Sequence, residues 1–157
     1  MSTWLDDARF TETVARTPLV SIDLLVTHAG RLLLELRANP PAQDWWFVPG
    51  GRIRKGEELP QAFARIRVEE LGAALPFEQA RPLAAFTHRD ADETIRGRPH
   101  VDVHYVVLAY QIEAEIDLEA LPRAQHRRYR WLPIRESLAD PGVHPNTRKM
   151  AEALARA

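Results

Sequence analysis

The stretch FVPGGRIRKGEELPQAFARIRVEELG, from Phe47 to Gly72, constrains this chain more than any other. It reads as a glycine loop feeding one well-marked helix. Leu59, Ala62, Phe63, Ile66 and Leu71 supply an apolar stripe at helical spacing, and the pattern predicts a helix over Leu59 to Leu71. Pro60 fits the first turn, where a missing N–H costs little, and Gly72 closes the far end. A loop and helix bearing the adjacent carboxylates Glu69 and Glu70 can offer oxygen donors to a hard divalent cation. Glu70 lies four residues after Ile66, on nearly the same face, whereas Glu69 is about 100° around the helix. The two carboxylates therefore need not share one metal. Arg65, four residues before Glu69, is placed to brace it as an ion pair. The alternative is a surface helix carrying routine Glu and Arg residues.

The 157 residues are about the size of one domain, read as 1–157. Hydrophobic residues make up 45% and charged residues 27%, the balance of a globular protein rather than a disordered one. A net charge of −1 gives no basic face for a phosphate backbone, so no nucleic-acid partner is expected. There is no cysteine, which leaves only oxygen and nitrogen ligands for any metal. The opening MSTWLDDARFTETVAR carries acidic residues and no apolar core, unlike a secretory signal. No apolar run is long enough to span a bilayer, so the expectation is a cytoplasmic protein without a membrane partner.

Around the central cassette the pattern predicts a helix from Asp6 to Arg16, stopped by Pro18. A hairpin follows, with strands Val20–Thr27 and Arg31–Leu36 about a His28-Ala29-Gly30 turn. Further strands are expected at Trp46–Val48, Ala84–His88, Val101–Ile112 and Arg128–Leu132, and a C-terminal helix at Asn146–Arg156. Strands mixed with a few helices imply an α/β layered domain with a mixed sheet.

Gly51, Glu57, Arg65, Glu69, Glu70 and Gly72 also fall at the spacing of the Nudix box, G-x5-E-x7-R-E-U-x-E-E-x-G-U, in which U is a bulky aliphatic residue. Three positions depart from it. Ile66 replaces the first helix glutamate, Arg67 replaces an aliphatic residue, and Ala73 is small for the last position. Outside the box, TPLVSIDLLV, LRANPPAQDWWFVPGGR, HYVVLAY and AQHRRYRWL resemble GDP-mannose mannosyl hydrolases, a Nudix branch whose box lacks the same glutamate. The resemblance runs from about Thr17 to the C-terminal helix. It implies a Nudix-type α/β/α sandwich with a mixed β-sheet, acting on a nucleotide sugar with Mg2+, or Mn2+ in its place, and assembled as a homodimer to which the N-terminal segment contributes. The implied reaction releases free hexose from GDP-mannose, or GDP-glucose, by cutting the carbon–oxygen bond at sugar C1.

Attack at an anomeric carbon needs a water opposite the departing diphosphate, a base to deprotonate it, and cationic groups to absorb the leaving charge. His126, in the loop-like LPRAQHRRYR, has the side-chain chemistry of a base near neutral pH. Taken alone, a lone loop histidine is more often a solvated bystander; the resemblance assigns His126 as the base and Gln125 as a metal ligand. The resemblance further implies Glu70 and the Gly50 carbonyl as metal ligands, Arg37 and Arg52 as diphosphate clamps, and Tyr105 and His88 as phosphate or sugar contacts. Asp23, an acid inside an apolar strand, reads as a sugar-hydroxyl partner or as one half of a salt bridge. Arg123, Arg127 and Arg128 make a basic run around the Gln125-His126 pair, either ordinary solvated charge or an attraction for the anionic substrate. Trp45 and Trp46 could stack on a base or pack in the core. Two other functions fit parts of the pattern: a Nudix pyrophosphohydrolase attacking phosphorus, and a catalytically silent nucleotide-sugar sensor.

Overall fold

A computed structural model describes residues 5–38, 43–72, 77–95, 98–123 and 126–157; the side chains of 91–95, 98, 99, 126 and 127 lie outside that description. The elements run α1 (Asp7–Arg16), β1 (Leu19–His28), β2 (Arg31–Arg37), β3 (Trp46–Phe47), β4 (Gly50–Arg52), α2 (Leu59–Leu71), β5 (Arg81–Ile95), β6 (Arg98–Glu113), β7 (His126–Pro133), α3 (Ile134–Ser137) and α4 (Pro145–Arg156). The sheet order is β3-β2-β1-β6-β5, with β4 added on β1 and β7 on β2. β1 and β6 run parallel while the other strand pairs are antiparallel, so the sheet is mixed as expected.

Helices cover both faces, which explains why the β1 and β2 sequences are almost continuously apolar rather than alternating. Ile22, Leu24, Val26 and Leu33 pack with Ala62, Phe63, Ile66 and Leu71 of α2. Leu25, Leu32, Leu34, Val107 and Ala109 face the other way, onto Met150, Ala151 and Leu154 of α4. The result is an α/β/α sandwich.

α2 spans the residues its pattern marks. Gln61 accepts from the Glu58 N–H at 2.9 Å, and Gly72 ends the helix at φ 60°, returning its N–H to the Val68 carbonyl at 3.0 Å. The β5–β6 hairpin is longer than the sequence implies, because polar flanking residues such as Arg89 and Asp90 pair across the ladder with His104 and Val103. Two differences bear on the site. Gly50–Arg52, read as a loop, is a short strand on β1, registered Ser21↔Arg52, Ile22↔Gly51 and Asp23↔Gly50. His126, read as a loop residue, opens β7 with its Cα opposite Arg37, so the β2 edge extends the pairing beyond Arg128–Leu132.

Candidate active site

β1 and β2 pair only near their hairpin turn, at Thr27↔Leu32 and His28↔Arg31, and then part company. Beyond the split β1 takes β4 as its partner while β2 takes β3 and β7. A cleft occupies this fork. On one side its cavity of about 170 Å³ includes Asp23, His88, Asp90, Tyr105 and Asn146 in its wall. On the other side a cavity of about 230 Å³ lies against Arg54, Arg65, Glu69 and Glu70. Glu35, Arg37, Gly50, Gly51, Arg52 and Tyr105 line both, so the two are lobes of one cleft.

The glycines make this approach of strand to strand feasible. A Cβ on Gly50 would collide with the Asp23 carboxylate and come within 2.8 Å of the Ile22 carbonyl. A Cβ on Gly51 would meet Ile66 Cγ1 at 3.2 Å. Ile66 is fully buried and fills the space beneath Gly51. The position where the Nudix box has a glutamate is therefore core in this chain and lines neither lobe.

Arg65 ties the β4 loop to α2. Its Nε and Nη2 donate to the two Glu57 carboxylate oxygens at 2.6 and 2.8 Å, and Nη2 also reaches the Arg52 carbonyl at 2.9 Å. Nη1 holds Glu69 at 3.0 Å, the ion pair expected from the i, i+4 spacing. Glu69 also receives Arg54 at 3.4 Å, so it belongs to the brace, leaving Glu70 as the buried carboxylate of the pair. The Arg65 hydrogen bonds, helped by the Arg54 N–H, hold the Glu57 carboxyl down at about 2 against the opposing effect of burial. A group depressed in this way stabilises the fold above its ordinary value of 4.5 and loses that effect as pH falls through about 2. Glu57→Gln is expected to cost on the order of 2–3 kcal/mol at pH 7 and much less near pH 2, read by urea unfolding at both pH values.

Two buried carboxylates of the cleft, Asp23 and Glu35, behave in the opposite sense to Glu57. Burial pushes Asp23 up to about 7; the nearby Arg37 charge opposes this and Glu70 adds to it. Glu35, 2% exposed, is held well above the ordinary carboxylate range by burial and by repulsion from Glu70 and Asp23, against Arg37. Across the sheet, burial and the Lys149 charge hold His88 down at about 4, so its imidazole is neutral at pH 7. Burial likewise raises the Tyr105 hydroxyl, against Arg52 and Arg37.

The fork thus brings together Asp23, Arg37, Gly50, Arg52, Glu70, His88 and Tyr105, all expected from the sequence. Gln125 lies outside the described residues; for His126 only the backbone position beside Arg37 is described. Among the described residues Asp23 makes no ion pair within 4.0 Å, although the Arg37 charge acts on it. Trp46 packs in the α4-side core with the Arg130 guanidinium 4.3 Å from its ring centre, while Trp45 lies edge-on to His144. Sequence reading missed Glu35, although an acid among leucines in LLLELR carries the same signal as Asp23. It also missed Asp90, which accepts from Asn146 at 3.3 Å at the far end of the 170 Å³ lobe. Asn146 is placed by α4, whose N-cap His144 accepts the Asn146 N–H at 3.1 Å.

The donors suit a hard cation. Crowded buried carboxylates that repel one another are relieved by a divalent ion, and the cleft offers oxygen rather than sulfur ligands. Among the described residues no three His, Asp or Glu side chains are arranged to hold a metal by themselves. Among the same residues, no helix is long and apolar enough to cross a membrane.

Residues 17–154 match the NUDIX domain family. The chain is 32% identical over 154 residues to the low-salt glycan biosynthesis protein Agl8 of Haloferax volcanii, covering 98% of this chain and 92% of that protein. Its fold is similar to the NUDIX domain of Shewanella oneidensis NrtR solved with ADP ribose (TM-score 0.67, 18% identity, 97% of this chain and 98% of that one). It is also similar to a MutT NUDIX hydrolase from Burkholderia pseudomallei (TM-score 0.64, 26% identity, 88% and 98%). With this match and the loop–helix cassette set beside a split sheet, the chain belongs to the Nudix hydrolase family.

Proposed function

We propose that the chain hydrolyses a GDP-hexose, GDP-mannose or GDP-glucose, to GDP and free sugar by attack of water at sugar C1. The observation that carries this reading is the burial of Ile66 beneath Gly51. α2 presents no carboxylate at that position, yet the cleft keeps Glu70, Arg37 and Arg52. A site built in this way can grip a diphosphate while the reacting water is activated elsewhere. The glycan-related name of the Haloferax volcanii relative agrees with a nucleotide-sugar substrate.

Glu70, the Gly50 carbonyl and Gln125 would hold the magnesium ion. Bound there, the ion neutralises charge on the diphosphate as it departs. Arg37 and Arg52 share that load through planar guanidinium groups, which match phosphate oxygens in pairs. His126 takes the proton of the attacking water; the support is its backbone register opposite Arg37, a residue that lines the cleft. Asp23 and His88 orient the sugar, and Tyr105 contacts substrate from the β6 floor shared by both lobes. The assembly proposed with this reading is a homodimer, and a single monomeric species in sedimentation at micromolar concentration would exclude it.

Glu35 favours a second reading. It puts a buried carboxylate in the lobe of Glu70, where the loss of an acid at position 66 would otherwise leave the metal side short. A carboxylate there would suit attack at phosphorus. Chromatography of GDP-mannose after incubation with Mg2+ tests the main proposal. GDP and mannose are the expected products; GMP with mannose 1-phosphate would point to a pyrophosphohydrolase.

A further inference from the structure

Helix α1 precedes the residues that match the family, yet it reaches the candidate diphosphate clamp. Phe10 and Val14 on its buried face form a small core with Val101 and Val103 of β6, and Leu19 and Tyr105 pack against that core. The guanidinium carbon of Arg52 stands 4.0 Å from the centre of the Phe10 ring. Arg52 and Tyr105 each line both lobes of the cleft.

We infer that α1 is part of the substrate site, and that Phe10 is a positioning residue holding the Arg52 guanidinium for an anionic diphosphate. An aromatic face attracts a cation through its quadrupole without cancelling the charge, as a carboxylate would. A guanidinium carries five N–H donors, and a contact between its central carbon and a ring face does not use them up for phosphate oxygens. The backbone of Arg52 is fixed separately, by its register with Ser21 and by Arg65 on its carbonyl. Phe10 adds to these backbone anchors a contact with the far end of the long side chain. An arginine ordered in advance loses less rotamer freedom when substrate arrives.

The inference rests on Arg52 binding diphosphate, but not on which sugar is carried or which bond is cut. It is tested by calorimetric titration of GDP with Mg2+ into the native protein, Phe10→Leu and Phe10→Tyr, each also with Arg52→Ala. Leucine keeps an apolar side chain against Val101 and Val103 while removing the aromatic face; tyrosine restores the face. Phe10→Leu is expected to weaken GDP about 5- to 30-fold and Phe10→Tyr to remain near native. Phe10→Leu should have no further effect once Arg52 is alanine. An equal loss with and without Arg52, or no loss at all, would overturn the inference. The Arg52 Nε–Hε resonance supplies a second readout that needs no ligand, since a ring 4.0 Å from the guanidinium carbon shifts it in the native protein and not in Phe10→Leu. Identical resonances in the two proteins would overturn the hold of Phe10 on Arg52. Failure of the native protein to bind GDP would instead overturn the proposed function, leaving Phe10 to be decided by that resonance.

Discussion

Replacing Glu70 with Gln should lower turnover on the order of 10²–10³-fold while making the metal-free protein more stable near neutral pH. The two effects have one origin. Glu70 raises both Asp23 and Glu35, which burial already holds above their ordinary values. For an acid whose folded value is raised, the folded state binds more protons than the unfolded state between the two values. Stability therefore falls as pH climbs from about 4 toward 7, and the penalty from Asp23 is complete above about 7. Removing the Glu70 charge lowers both carboxyls and flattens that fall. Magnesium acts on the same charges, so it should raise the melting temperature of the native protein more at pH 8 than at pH 5, and do so only weakly in Glu70→Gln. Thermal unfolding with and without Mg2+ across pH 5–8 reads all of this. A variant as steeply pH-dependent as the native protein would separate Glu70 from the carboxylate cluster.

Loss of His126 should be the other large effect. His126→Gln is expected to reduce kcat on the order of 10²–10⁴-fold while GDP affinity stays close to native. The backbone register with Arg37 does not depend on the imidazole, so the variant should fold. The pH–rate profile adds a signature. A base with histidine's ordinary value gives an acid limb near pH ~6.5, and that limb should be lost in His126→Gln but kept in Asp23→Asn. His88 and His144 do not supply such a limb, because burial and neighbouring cations hold both down at about 4, whereas Asp23, held up at about 7, titrates in the same range and makes Asp23→Asn the control. A folded His126→Gln protein with near-native turnover would remove His126 from the chemistry.

The parts of this architecture that declare themselves locally were legible in the chain. α2 has a proline, an apolar stripe and a terminal glycine, and its bounds follow from them. The β1–β2 hairpin has two apolar runs about a tight turn. β4 has no such signal, since Gly50–Arg52 offers almost no side-chain pattern and becomes a strand only because β1 leaves β2 and needs a partner. The polar residues at the β5–β6 tip are likewise recruited by pairing across the ladder rather than by their own propensity.

The site divides in the same way. Glu70, Arg37 and Arg52 could be placed because they sit in or beside the cassette. Glu35 was readable as a charge among leucines, but its meaning depends on the fork that brings it to Glu70. The contact of Phe10 with Arg52 joins the N-terminal helix α1 to the short strand β4, and no local pattern announces it. Ile66 moved in the other direction. As a sequence position it marks a missing acid; in the fold it is the buried support under Gly51.

Which bond breaks is the question on which the proposed function stands. Attack at C1 and attack at the sugar-bearing phosphorus both yield GDP and free hexose, so the products alone do not separate them. Hydrolysis of GDP-mannose with Mg2+ in ¹⁸O-labelled water, followed by mass spectrometry of the GDP, does. Carbon attack leaves GDP unlabelled and puts the oxygen in mannose, provided the sugar is examined before its anomeric hydroxyl exchanges with solvent. Label in a phosphate of GDP would contradict carbon attack and assign the chain to phosphorus chemistry.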